Sequence, residues 1–300
     1  MTPTGLPPAV PAPLRWLDTG AGRVAVYHAG PPPGQGDGRP PLLLVHSVNA
    51  AASAAEVAPL FNHHRVARHV VALDLPGYGH SDRSDRPYNP RLMTDAVLAV
   101  VDWMREELQV GLVDALGVSL GSEFVARAQS EAPASIRRIA LVSPTGFSRR
   151  DRRHGPPGTT LVKPWLLRLL SRPGWGDRIF RLLTKPGVVR YFLKRTFGSS
   201  AIDETLWRQA VINARQPGAH HAPLSFLSGA LFSADVNTLY ESLTCPVWVS
   251  MSTRGDFTDY QGRDSVEARP NWQFHAMEGG ALPYFEDLPT FTAALDPFWR

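Results

Sequence analysis

Along most of the chain, short apolar runs alternate with longer stretches in which apolar residues recur every three or four positions. The runs VAVYHAG (24–30), PLLLVHS (41–47), HVVALDLP (69–76), LVDALGVS (112–119) and IRRIALVSP (136–144) are strand-length, and Gly, Pro or Asp lies in or beside most of them, so each predicts a strand. Between the third and fourth, Leu92, Met93, Ala96, Val97, Val100, Val101 and Met104 make one apolar stripe, which predicts a helix covering a sheet. A parallel strand pair needs such a crossover. The expected fold class is α/β, with a mostly parallel central sheet flanked by helices.

The rhythm stops at Thr145. From there to about Leu239 helical patterns recur around 163–171, 176–184, 187–196, 203–214 and 223–232, with no convincing strand. Pro173 and Pro186 cut the first of these into short pieces, and Ser200 and Asp203 ahead of Leu206 predict a helix start. Alternation returns with CPVWVSMS (245–252), NWQFHAM (271–277) and a closing helix after Pro283. The expected organisation is a flexible Pro-rich arm (1–21), one core (22–144 and 240–300), and an all-helical insertion (145–239).

Composition narrows the setting. At 300 residues and 43% hydrophobic content the chain can bury a large core and is not disordered. Cys245 is the only cysteine, which excludes an internal disulfide and a cysteine-rich metal site. The start MTPTGLPPAVPAP lacks the pattern of a secretory signal, and nowhere do about 18 apolar residues run together, so a cytoplasmic protein is expected. The net charge of +4 is regional: residues 147–197 carry 13 Lys/Arg against Asp151 and Asp177. Those cations interleave with Trp165, Leu166, Leu169, Ile179, Phe180, Phe192 and Leu193, as on a solvated lid or a face that touches anionic membrane. No nucleic-acid motif accompanies them.

The chemistry concentrates at GVSLG (117–121), a G-x-S-x-G pattern between a predicted strand and a predicted helix. Gly117 and Gly121 leave room for a sharp turn lifting Ser119 above the sheet edge, and the helix start turns amides toward developing negative charge. With LLLVHSVN, ALDLPGYGHSD, PVWVSMSTRGDFTD and GGALPYFED, this motif makes the chain resemble the α/β-hydrolase superfamily, in its form with a helical cap. The resemblance implies Ser119 as nucleophile, the amides of Leu120 and Val48 as the oxyanion hole, and Asp256 as the acid of a triad, with Asp259 as the near alternative. Ser47 replaces the glycine that follows the family's histidine at position 46, so either Ser47 or Asn49 adds a donor or the oxyanion hole is misshapen.

The same resemblance exposes a gap. Laid on the family's pattern, EGGALPYFED puts Ala281 on the catalytic histidine. A serine hydroxyl without a base is a poor nucleophile, and loss of the histidine from an intact triad costs about a millionfold in turnover. Candidate substitutes are His275, six residues upstream, and His46 and His80 in loops that border the pocket in this family. His220 and His221 are pocket candidates in the insertion, and Tyr284 is a candidate donor to substrate. The expected activity is cofactor-independent serine hydrolysis, with no metal, of an ester or related carbonyl on a lipophilic small molecule. The rival is a degenerate member without the triad histidine that serves as a lipophilic-ligand binding protein or as a non-hydrolytic enzyme.

Overall fold

Strands β1 (Leu14–Thr19), β2 (Gly22–Ala29), β3 (Leu42–Val45), β4 (Val70–Asp74), β5 (Val113–Val118), β6 (Ile136–Val142), β7 (Val247–Ser252) and β8 (Trp272–Met277) form one sheet in the order β1-β2-β4-β3-β5-β6-β7-β8. The coordinates are a computed structural model that describes residues 5–32, 35–172, 174–256 and 258–300. The first two strands pair antiparallel and β2 joins β4 antiparallel; every pairing from β4 to β8 is parallel. Central strands β3, β4 and β5 are buried along their whole length, as strands covered on both faces must be.

One face of the sheet carries α2 (Pro90–Glu107) and α3 (Gly121–Glu131); Met93, Ala96, Val97, Val100, Val101 and Met104 of the predicted stripe are buried there, while Leu92 is only partly covered. Asn89 caps α2 by accepting the Leu92 N–H at 2.9 Å, and Pro90 occupies the first turn, where its missing N–H costs nothing. The other face carries α1 (Ala58–His64) and the C-terminal α10 (Leu288–Leu295), packed around Trp248, Phe291 and Trp299.

Residues 145–242 contain α4 (Pro164–Leu170), α5 (Trp175–Leu183), α6 (Pro186–Phe197), α7 (Glu204–Asn213), α8 (His221–Leu227) and α9 (Val236–Ser242). Asp203 alone caps α7, accepting the Leu206 N–H at 2.6 Å. The breaker expected at Pro173 lies outside the described residues. Among the described residues, the only strand-like contact between 145 and 239 is a bridge of Thr160 with Ser233. The two ends of this segment are tied to α3. Glu123, fully buried, binds Arg153 at 2.9 Å, the Ser233 N–H at 2.9 Å and the Thr145 hydroxyl at 2.6 Å, while Arg127 pairs with Asp235 at 2.6 Å.

Two expectations need correction. The arm is not loose to residue 21: Leu14–Thr19 adds β1 to the sheet edge, and Leu6 and Val10 are buried as apolar anchors, although Met1–Thr4 lie outside the described residues. The helix expected over 223–232 begins at His221 and ends at Leu227, where Ser228 Oγ donates to the Ser225 carbonyl and competes with continuation. No helix among the described residues is long and apolar enough to cross a membrane.

Candidate active site

Ser119 follows β5 with φ at 50°, a left-handed conformation that a side chain adopts only when its surroundings hold it there. Here they do. Its N–H donates to the Val142 carbonyl of β6 at 2.8 Å, and its carbonyl accepts the Ser122 N–H at 3.1 Å. Both flanking glycines are dictated by close approach. A Cβ on Gly117 would lie 2.7 Å from the Gly121 carbonyl oxygen, and one on Gly121 would run into the carbonyl oxygen of His46. Every residue of β5 is buried, whereas Ser119 is only half-buried, so its side chain leaves the packed sheet. Leu120 precedes α3 in helical conformation, which puts its N–H among the unpaired amides of a helix start.

Beside this turn runs the loop 46–53. The Leu75 N–H donates to His46 Nε2 at 3.0 Å, so the ring proton sits on Nδ1 and is donated to the Ser47 carbonyl at 2.5 Å. Glu56, 5% exposed, accepts the Ser47 N–H at 2.9 Å and Asn49 Nδ2 at 2.6 Å. Asn49 Nδ2 also donates to Ser47 Oγ at 3.2 Å, and its Oδ1 accepts the Ala51 N–H at 2.8 Å. Both side-chain hydrogens of Asn49 are thereby engaged and the Ser47 N–H is committed to Glu56, while the Ser47 hydroxyl accepts from Asn49 and keeps its own hydrogen. The buried Val48 lies between them. Glu56 was missed in the sequence; a lone acid inside AASAAEVAPLF was the available signal.

The segment that matches the family's histidine is covered by the last turn of α6. Ala281 is buried, and its N–H donates to the Thr196 carbonyl at 2.8 Å. A Cβ on Gly280 would strike the Phe197 backbone and the Thr196 carbonyl, so the two segments meet backbone to backbone. Phe197 is buried in the same cluster as Leu282, Tyr284 and Trp248, its ring 6.0 Å from that of Phe285. Asp256 is exposed and bound to Arg195 of the same turn at 2.6 Å. Asp259 is exposed as well; the Ser148 hydroxyl at 2.7 Å and the Gln261 N–H hold its pKa below the ordinary carboxylate value. Tyr284 does not face a substrate: its hydroxyl donates to the Glu56 carbonyl at 2.8 Å, and burial, with the Glu56 charge, pushes its pKa well up.

The ten imidazoles can be accounted for one by one among the described residues. His46 is bound as above. His80 Nε2 donates to the Pro7 carbonyl at 3.2 Å, under the N-terminal segment. His275 stacks on Trp248, and β6 and β7 separate its strand from the one that ends at Ser119; burial lowers its pKa. His28 meets His69 at 3.1 Å, His154 meets Glu241 at 3.2 Å, and His63 and His64 adjoin Asp296. His221 lies 3.4 Å from Asp85 and His220 4.0 Å from Asp177. His220 does face a cavity, of about 620 Å³, but Phe180, Arg181, Thr184 and Ala214 line it, all within the helical segment. His46, His80 and His275, the expected substitute bases, thus have other partners and no hydrogen bond to Ser119 among the described residues.

The chain matches the family model described as alpha/beta hydrolase fold over residues 40–192. It is 33% identical over 229 residues to (E)-2-((N-methylformamido)methylene)succinate hydrolase of Acinetobacter baylyi, covering 73% of each chain. It is 26% identical over 163 residues to the (lyso)-N-acylphosphatidylethanolamine lipase of Mus musculus, covering 52% of this chain and 47% of that protein. The first other curated relatives are likewise matched over 57% and 30% of their lengths. Among solved structures, a probable hydrolytic enzyme of Pseudomonas aeruginosa PAO1 superposes with a TM-score of 0.74 at 18% identity, over 97% of this chain and 95% of that one. At that identity the likeness speaks for the fold alone.

Proposed function

Because this chain belongs to the α/β-hydrolase fold family, and no hydrogen bond joins Ser119 to any of its ten imidazoles among the described residues, we propose that it binds a lipophilic ester or related carbonyl compound at the family's site without triad-driven turnover. The accounting of the imidazoles carries this reading. The amides of Leu120 and Val48 hold the ligand's carbonyl oxygen beside Ser119. Residues 145–239 act as a cap over residues 22–144 and 240–300: Leu193, Ala210 and Val211 pack with Ala50 and Ala51 of the loop after β3, and the roof is apolar. A lipophilic ligand accords with that roof and with the lipase among the relatives. The lone, buried Cys245 accords with a reducing, cytoplasmic setting.

A second reading is favoured by one observation. The left-handed backbone at Ser119 costs about 1–3 kcal/mol, and its retention is what a working nucleophile would need. In that reading Ser119 Oγ attacks the ester carbonyl and the C–O bond breaks to release an alcohol. Water then cleaves the acyl-serine to free the acid and restore Ser119, and Asp256 releases Arg195 to support the base that moves the protons.

Fluorophosphonate labelling of the native chain against Ser119→Ala separates the two. The binding reading expects no Ser119-dependent labelling while a long-chain alkyl ester still binds one-to-one. Rapid labelling lost in Ser119→Ala would establish the hydrolase, and single His→Ala changes at 46, 80 and 275 would then locate its base. Ala281→His is expected to stay unreactive, short of the roughly millionfold gain of a restored triad, because Ala281 is buried and its N–H is tied to the Thr196 carbonyl at the α6 terminus.

We also assign a peripheral membrane contact to α4–α6. Trp165, Trp175, Leu182, Tyr191 and Phe192 are exposed there among Arg168, Arg172, Arg178, Arg181, Lys185 and Lys194. Exposed aromatics beside cations suit the interface of an anionic bilayer. Vesicles containing phosphatidylserine should cosediment with the protein, less so as salt rises, since screening acts over about 8 Å at physiological ionic strength. Trp165→Ala with Trp175→Ala should weaken this at every salt concentration; salt-insensitive or absent cosedimentation would dismiss it.

A further inference from the structure

At the end of the sheet opposite Ser119, the last two residues of α1, His63 and His64, meet Asp296 from the turn that follows α10. The placement follows from the parallel strands: α1 ends shortly before β4 begins, and the chain beyond Asp296 is held by Arg137 and Arg138 at the start of β6, whereas Ser119 follows the last residue of β5. His63 Nε2 lies 2.9 Å from Asp296 Oδ2, His64 Nδ1 lies 3.8 Å from Asp296 Oδ1, and the three groups' ligand atoms all fall within 4.8 Å of one another. Nitrogen and oxygen ligands of one tetrahedral ion, each about 2.0–2.2 Å from it, sit about 3.4 Å apart. The cluster brackets that spacing.

A second observation distinguishes it from an ordinary ion pair. The His64 side chain is fully buried, yet neither Nδ1 nor Nε2 has a hydrogen-bond partner, and Asp296 Oδ1 is also buried and unpartnered. Orphaned polar atoms of this kind are costly in a folded chain. Burial, with the Arg68 guanidinium nearby, lowers the His64 pKa from the usual imidazole value. The Arg68 charge is itself matched by Asp114 at 2.9 Å, both side chains being fully buried. His63 and Asp296 keep 33% and 29% of their side chains exposed, which gives an ion and its water a way in.

We propose that His63, His64 and Asp296 form a binding site for a borderline divalent cation of the Zn²⁺ type, with water in the fourth position. Two imidazoles and one carboxylate suit such an ion better than Ca²⁺ or Mg²⁺, which take oxygen ligands. The site would clasp the C-terminal turn to α1. That turn carries the buried Trp299, over which Arg68 packs at 5.4 Å. Its role is then structural and separate from Ser119.

The full chain, stripped with a chelator, is titrated with Co²⁺ followed by absorbance and with Zn²⁺ followed by calorimetry, and its unfolding midpoint is measured with and without Zn²⁺. The expectation is one ion per chain, visible Co²⁺ bands of tetrahedral intensity, and a midpoint that rises with Zn²⁺ because only the folded chain holds the site. Asp296→Asn and His63→Gln should each weaken binding by about 100-fold or more, beyond the loss from changing an outer partner, while the metal-free midpoint stays in place. No heat and no Co²⁺ band at millimolar metal would overturn the proposal. So would binding that both substitutions leave undiminished, since another of the ten histidines would then be the ligand.

Discussion

Glu123→Ala is expected to destabilise the chain by about 3–5 kcal/mol in urea unfolding, the cost of leaving a buried charge without its partner. Arg153 is 5% exposed, and its guanidinium reaches Glu123 at 2.9 Å; with that carboxylate gone, the cation stays in a site closed to water and, among the described residues, faces only the carboxylate of the exposed Asp151 at 3.4 Å. The Ser233 N–H and the Thr145 hydroxyl lose their acceptor in the same substitution. Those partners come from the two ends of the helical segment, so the segment should loosen from the sheet before the rest unfolds. Protease cleavage within 145–239 should therefore rise more than the global loss of stability accounts for. Replacing both members with apolar residues, Glu123→Leu with Arg153→Met, should recover most of the loss, because no uncompensated charge remains. Equal losses in the single and double variants would mean that packing volume, not charge, holds the segment.

Gly121→Ala is the second large effect, expected at about 3 kcal/mol or at the upper end of what overpacking costs. The added methyl meets the His46 carbonyl oxygen, which is backbone and cannot rotate away. Relief requires the 46–49 loop to move, and that loop is held by His46 on the Leu75 N–H and by Glu56 on the Ser47 N–H. Ligand affinity should fall along with stability, since Val48 moves with the loop. Gly111→Ala, where a methyl meets nothing within 4 Å, is the control and should change neither by much. Unaltered stability in Gly121→Ala would show that the loop is softer than its hydrogen bonds imply.

Much of the fold was legible in the chain because its signals are local. Runs such as LLLV and VVALD are apolar on both faces, and the α2 stripe has one helical period; neither depends on distant residues. The first strand was not legible. LRWLDT becomes β1 only because β2 offers an unpaired edge, and the Pro-rich residues before it disguise the buried Leu6 and Val10 as part of a loose arm. Asp256 was placed by its position after β7, yet its carboxylate faces Arg195, a cation sixty-one positions earlier whose arrival depends on how α6 docks.

By itself the sequence determined the α/β class, the tight turn that carries Ser119, and the absence of histidine at 281, since each is written in neighbouring residues or in a single side chain. Only the tertiary structure decided what stands around that serine. The end of α6 covers the loop where a base would sit, Glu56 takes the Ser47 N–H and a side-chain hydrogen of Asn49, and His46, His80 and His275 each have other partners. Those outcomes depend on contacts between residues far apart in the chain, whose pairing is set by how helices pack on the sheet and not by any local preference.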